Sequence, residues 1–181
     1  LEFCRKRNIS RYIYTISHRD IEGHWKNGKL LKADLPIKIN YEGDHVMYAI
    51  TKTSAMMMGD YYHYLTGMKV FNLRLPMIFS IPEKNWYYAH GEKKIIPFLS
   101  IIRDAMSGTR LEVWGDKNMK RDYVHMDNLL QMINLCLTTE LTAGIFNVGT
   151  GEAVTTEDFI RTVAEVFSPH GENCEIIYRP H

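Results

Sequence analysis

The sequence predicts an α/β protein with a largely parallel sheet, and three observations carry that prediction. Arg11–Ser17 is a β-branched and aromatic run, apolar on both parities until its end, the pattern of a strand covered on both faces. Residues 46–66 form an apolar, helix-compatible run closed by Gly67, a residue suited to the left-handed position after a helix. From there strand-like and helix-like stretches alternate to the end of the chain, as crossover connections between parallel strands require.

Taken in order, Leu1-Glu2-Phe3-Cys4-Arg5 reads as the last turns of a helix. The first strand follows and ends in Thr15 and Ser17, hydroxyls at the carboxyl end of a strand, where open α/β sheets hold reactive groups. From His18 to His45 the pattern dissolves into charged residues with Gly23, Gly28, Pro36 and Gly43, a long loop of the functional or mobile kind. Helix 46–66, with Met56-Met57-Met58 and Tyr61, Tyr62 and Tyr64, is apolar nearly all round and is expected to be buried on more than one side. Lys69–Leu75 is the next strand, closed by Pro76. Residues 77–94 read as irregular, followed by a helix at about 97–107 and a strand at Leu111–Trp114. Arg121–His125 precedes a helix over 126–138, whose start Asp127 is expected to cap. Gly144–Gly149 is a short strand. Thr155 or Thr156 caps a helix at about 156–167, with Asp158 in the place of a capping-box Glu. Cys174–Tyr178 is a last strand.

A chain of 181 residues with 45% hydrophobic and 24% charged residues has the composition of an ordinary globular domain. A formal net charge of +1 gives no electrostatic case for nucleic acid or an anionic membrane. Three separated cysteines, Cys4, Cys136 and Cys174, show no metal spacing, so no metal is expected, and their odd number fits a reducing, cytoplasmic setting. No stretch is long and apolar enough for a membrane helix, and no signal peptide is present. There is no initiator Met, and both ends read as cut, so the chain is expected to be a fragment or a truncated relative of a larger protein.

One pair suggests chemistry. Tyr48 and Lys52, four apart, lie on one face of a helix, where an ammonium beside a phenol favours the phenolate and makes a usable general base. With 11 tyrosines in the chain, such a spacing is expected about 0.7 times by chance, so the pair carries little by itself.

Its companions carry more. Ser17 stands at a strand end ahead of Tyr48-x-x-x-Lys52. Asn72-Leu-Arg74-Leu-Pro76 follows the helix. Leu-Glu-Val-Trp-Gly-Asp is followed by Arg121-Asp-Tyr-Val-His-Met-Asp127, and Phe146-Asn-Val-Gly-Thr-Gly151 comes next. In this order and spacing the four stretches resemble the extended short-chain dehydrogenase/reductase family, in particular its nucleotide-sugar epimerases and dehydratases. The resemblance covers nearly the whole chain. It implies the C-terminal part of a Rossmann-type doubly wound sheet plus a small substrate-binding domain. Residues 1–80 would be a partial NAD-binding domain and 81–181 mainly the nucleotide-sugar domain, with a return to the Rossmann sheet around 119–148 left open.

The resemblance also implies roles. Tyr48 would be the base, Lys52 would hold the nicotinamide ribose and tune Tyr48, and Ser17 would align the reacting sugar hydroxyl. Thr15 and Pro76 would lie against the cofactor, NAD with NADP as the alternative. Met77, Lys94, Ile95, Trp114, Arg121 and Val154 fall where relatives line the nucleotide and diphosphate site. Arg121 is physically the most persuasive of these, since a guanidinium matches phosphate oxygens well; its alternative is an ion pair with Asp122 or Asp127. A homodimer through helix 46–66 is implied too, with Met56–Met58 on the contact face.

There are departures. The glycine-rich turn that receives the cofactor pyrophosphate is absent; in relatives it precedes the point where this chain begins. Ser17 is followed by His18-Arg19-Asp20-Ile21-Glu22-Gly23 instead of small residues, and the separation from Ser17 to Tyr48, 31 residues, implies an inserted loop. Met77 stands for a common Asn, Ser80 for a Gly, and Lys117-Asn118 for the Gly-x after Gly115-Asp116. His18-Arg19 cannot supply the Asp-Glu pair of a dehydratase, which leaves an epimerase or a ketoreductase. His18 reads as a solvated loop residue or a catalytic substitute. A non-catalytic fragment or pseudo-enzyme is the alternative of another class.

Overall fold

The computed structural model describes residues 1–27, 30–169 and 174–179; Gly28 in the long loop and Pro180-His181 at the chain end lie outside them. In chain order the elements are α1 (Glu2–Lys6), β1 (Arg11–Ser17), a 3₁₀ stretch (His18–Asn27), α2 (Val46–Thr66), β2 (Lys69–Leu75), β3 (Met77–Phe79), β4 (Trp86–Ala89), β5 (Glu92–Ile95), α3 (Pro97–Met106), β6 (Leu111–Trp114), β7 (Lys120–His125), α4 (Met126–Thr138), β8 (Ala143–Asn147), β9 (Ala153–Thr155), α5 (Thr156–Phe167) and β10 (Ile176–Arg179). They fall into two compact units, Leu1–Ile78 with Tyr123–Gly151, and Phe79–Asp122 with Glu152–His181.

The first unit is built on a parallel sheet in the order β1-β2-β8. The register sets Ser17 opposite Leu75 and Arg74 opposite Asn147, so three strands end side by side. β2 is the middle strand and is buried from Val70 to Arg74, as a strand with a neighbour on each side should be, with Asn72 and Arg74 as polar interruptions of its apolar run. Phe71 and Leu73 pack with Val124, Leu129, Cys136 and Val148 into one apolar core. Helix α2 buries Ala49, Thr53, Met56 and Gly59, a stripe at helical spacing. Gly59 permits the close approach: a Cβ there would lie 3.3 Å from Val70 Cγ1. Gly67 ends the helix with φ 72° and returns its N–H to the His63 carbonyl. Among the described residues nothing covers the opposite face of α2, where Met57, Met58, Tyr61 and Tyr64 are exposed. The Arg11 guanidinium donates to the carbonyls of Cys136 and Thr139 at 3.0 and 2.9 Å, a cation on the C-terminal end of α4. At the other end of α4, His125 is the cap, its Nδ1 accepting from the Asp127 N–H. Asp127 sits one residue inside the helix, so its expected capping role belongs to His125.

The second unit contains a parallel pair β6–β10, an antiparallel pair β7–β9 and the hairpin β4–β5. Helices α3 and α5 pack together over a core of Ala105, Leu111, Val113, Ile160, Val163, Ala164 and Cys174. Thr155 caps α5: its hydroxyl accepts from the Asp158 N–H at 3.0 Å and donates to the Asp158 carboxylate at 2.6 Å, the reciprocal arrangement of a capping box.

Three stretches differ from the sequence reading. The start of the long loop winds into 3₁₀ turns over His18–Asn27. The segment read as irregular holds three short strands, β3, β4 and β5. The β4–β5 turn places His90 at φ 54° and Gly91 at φ 80°, the pair of positive φ values a two-residue hairpin turn of the right twist needs; His is not among the residues that signal it. Strand β9 has only three residues, too few for a visible period.

Candidate functional site

Where β1 and β2 end, a cavity of about 560 Å³ opens in the first unit, lined in part by Thr15, Ser17, Tyr48, Lys52, Leu75 and Pro76. The register explains the convergence. Parallel pairing of Ser17 with Leu75 brings the first strand end beside the start of the Leu75-Pro76 turn, and the first turns of α2 supply Tyr48 and Lys52. Of the residues expected to serve catalysis and cofactor, the cavity thus collects Ser17, Tyr48, Lys52, Thr15 and Pro76. Met77 follows directly and is exposed.

Each side chain has a definite support. Tyr48 is 47% exposed, and the His45 ring stands edge-on to its ring with centroids 6.5 Å apart. Lys52 Nζ donates to the Thr15 carbonyl at 2.9 Å and lies 4.9 Å from the centre of the Tyr14 ring. Its hydrogen bond runs to strand β1, which fixes the ammonium and leaves two of its three donors for other partners. Ser17 is buried, and its Oγ accepts from the Arg19 N–H at 3.3 Å.

The turn after Ser17 is anchored by a group that the sequence reading did not single out. Arg74, 3% exposed, reaches from β2 to Asp20, 2% exposed, with three hydrogen bonds of 2.8 to 3.1 Å. The same guanidinium donates to Asn147 Oδ1 at 2.8 Å and to the Ala33 carbonyl at 3.2 Å, and Asn147 Nδ2 donates to the Leu31 carbonyl at 2.7 Å. Arg74 and Asn147, each part of a quoted family stretch, therefore act as struts for the loop. A buried guanidinium needs this many acceptors, because each N–H left without one keeps its desolvation cost.

His18 is corrected as well. Its Nδ1 lies 2.8 Å from the Leu75 carbonyl and its ring stacks on Trp25 at 5.1 Å, so it is a fixed member of the cavity wall. His45 also lines the wall and holds the Asp44 carboxylate through Nδ1; that bond keeps the Asp44 carboxyl below its usual value. No periodicity marks His18, Asp20 or His45, since loop residues reveal their partners only in three dimensions.

The remaining candidates belong to the second unit. Lys94 lies on β5, opposite Tyr87, and Ile95 is the last residue of that strand. Trp114, 61% exposed, ends β6 and donates through Nε1 to Glu112 at 3.1 Å. Arg121 and Val154 are cross-strand neighbours on β7 and β9, and Arg121 Nη2 lies 3.2 Å from the Met119 sulfur. Among the described residues no helix is long and apolar enough to cross a membrane, and no three His, Cys, Asp or Glu side chains form a metal-binding group.

Residues 1–149 match the model of the NAD dependent epimerase/dehydratase family. The chain belongs to that family. A curated family relative, the ADP-L-glycero-D-manno-heptose-6-epimerase of Brachyspira hyodysenteriae, is 31% identical over 174 residues, covering 92% of this chain and 49% of that protein. Two solved structures share the fold of this epimerase/dehydratase family member. UDP-N-acetylglucosamine 4-epimerase from Bacillus cereus superposes with a TM-score of 0.79 at 20% identity, covering 99% of this chain and 55% of that one. UDP-glucose 4-epimerase from Thermus thermophilus, in complex with NAD, gives 0.76 at 22% identity, with 99% and 54% covered. The chain spans 40–49% of the length of the curated relatives it matches. Its Rossmann-type α/β fold and its membership of the NAD dependent epimerase/dehydratase family agree with the motif resemblance.

Proposed function

We propose that these residues carry the catalytic end of a NAD-dependent nucleotide-sugar 4-epimerase. The observation that supports it is the single cavity that collects Ser17, Tyr48 and Lys52 at the strand ends of the first unit. In this reading the first unit is the C-terminal part of the cofactor-binding domain. In the second unit Lys94, Ile95, Trp114, Arg121 and Val154 are read as nucleotide-binding residues, and in the first unit Met77 is.

The residues present fit the nicotinamide-ribose end of NAD or NADP. Lys52 is held by the Thr15 carbonyl with donors to spare for ribose hydroxyls, and Pro76 is part of the same wall. Bound there, the cofactor supplies a hydride acceptor that later returns the hydride. Tyr48 takes the proton of the sugar C4 hydroxyl and gives it back after the 4-keto sugar has turned over. Ser17 hydrogen-bonds that hydroxyl and keeps it aligned with Tyr48. Such acid–base help contributes roughly 10²–10⁴-fold; positioning supplies more.

Tyr48→Phe in a protein of the family's full length should lower turnover by about 10²–10⁴-fold while calorimetric binding of the nucleotide sugar stays the same. A variant that epimerises UDP-sugars at the rate of the unsubstituted protein would remove Tyr48 from the mechanism.

We also infer a homodimer through α2. Its outer face exposes Met57, Met58, Tyr61 and Tyr64, an apolar patch of the kind that drives association; Met56, by contrast, is buried against the sheet. Light scattering should show the mass rising with protein concentration, and a monomer throughout would refute the interface.

A further inference from the structure

The Tyr48 cavity carries ionisable groups of one kind. Besides Tyr48 its wall contains Arg19, Lys52, His18 and His45, and among the described residues no carboxylate lines it. The acids of this region stand behind the cations. Glu22 holds Arg19 Nη1 at 2.6 Å, Asp44 holds His45 Nδ1, and Asp20 is taken by Arg74.

Arg19 and His18 are also fixed from behind. The Arg19 guanidinium lies 5.1 Å from the centre of the Trp25 ring, and the His18 ring stacks on the same indole. Because a carbonyl can only accept, the contact with Leu75 O makes His18 Nδ1 the protonated nitrogen. Glu22 engages one nitrogen of a fork with five N–H donors, so Arg19 keeps the capacity to bind a second oxyanion.

Arg19 also stands close to the proposed reacting hydroxyl. Its backbone N–H donates to Ser17 Oγ at 3.3 Å. Arg19 and Ser17 line the same cavity. The two permanently charged side chains of this wall, Arg19 and Lys52, are both cations, which suit an oxyanion better than a neutral hydroxyl.

We propose that Arg19, with His18 beside it, forms a subsite for a carboxylate on the sugar, so that the substrate class is an acidic nucleotide sugar. This rests on the epimerase reading of the same cavity. The measurement is calorimetric binding to the Tyr48→Phe form of a full-length protein, which needs no turnover and separates the two claims. The probes are UDP-glucuronate, UDP-glucose and UDP alone. UDP-glucuronate should bind about tenfold or more tightly than UDP-glucose, a difference of one charge-assisted hydrogen-bonded pair. Arg19→Gln should erase that difference, and Arg19→Lys should restore part of it, since it keeps the charge but loses the fork. Equal binding of the two sugars would overturn the subsite. So would an Arg19→Gln loss of the same size for UDP alone, which would assign Arg19 to the diphosphate. A preference for UDP-glucuronate in the Tyr48→Phe form, with the unsubstituted full-length protein epimerising neither sugar, would keep the subsite and refute the epimerase reading.

Discussion

The two units bury different kinds of side chain. All five buried polar residues among the described ones, Ser17, Asp20, Thr53, Asn72 and Arg74, belong to the first unit. The core of the second is apolar, and its charges meet near the surface, as in Arg179–Glu112 and the cluster of Lys117, Arg161 and Tyr178 around Glu157. The first unit has taken on the cost of desolvating a guanidinium and a carboxylate just where its strands end and the Tyr48 cavity opens. The second follows the ordinary rule of apolar inside and charge outside. Polar burial thus marks the part of the chain that must hold a loop in one place, since hydrophobic contact alone is not directional.

Substitutions can break that contrast. The largest effect is expected from Asp20→Ala, which strands the Arg74 guanidinium in the interior and should cost about 3–5 kcal/mol in urea denaturation. The pair Asp20→Leu with Arg74→Met should lose much less, because it removes both charges. A small loss for Asp20→Ala alone would mean that the polar core is no more demanding than a surface pair.

In the second unit, Ile160→Val should cost about 0.5–1.5 kcal/mol by the same assay, with no partner substitution able to rescue it. A loss as large as that of Asp20→Ala would erase the distinction between the two cores.

The smallest effects are in pH. Hydrogen bonds from Tyr178, Arg161 and Lys117 hold the Glu157 carboxyl down at about 2, against an ordinary 4.5. Its contribution to stability is therefore fully present above pH 4.5 and fades as pH falls toward 2. Asp60 in the first unit shifts the other way: burial raises its pKa above 3.8, partly offset by the hydrogen bond from Asn72. Folding penalises its charged form, so that penalty is relieved as pH falls through its folded value. Carboxyl NMR titration should find Glu157 still ionised at about pH 3.5, where Asp60 is protonated. Tyr178→Phe should move Glu157 upward; no movement would place the cause elsewhere.

Much of the fold was readable in the residue pattern. β1, α2, β2, β6, α4 and α5 occupy the spans that their periodicity marks, because long apolar stripes with caps such as Thr155 and Gly67 leave few alternatives. The hairpin at Trp86–Ile95 and strand β9 escaped because they are short, and in the hairpin turn Gly91 follows His90, which is not a residue that signals such a turn. The content of the loop after Ser17 was not legible: nothing in His18-Arg19-Asp20 announces that Asp20 turns inward to Arg74 while Arg19 and His18 line the cavity.

By itself, then, the sequence determined the order of elements and the family, through periodicity and four stretches in fixed succession. It also singled out Tyr48, Lys52 and Ser17. Only the tertiary structure decided that these three share one cavity, that Lys52 is held by the Thr15 carbonyl, and that Arg74 and Asn147 serve as struts. The reason is physical. Periodicity is a local property of the chain, whereas hydrogen-bond partners 54 residues apart, such as Arg74 and Asp20, are chosen by strand register and by the need to satisfy every buried donor.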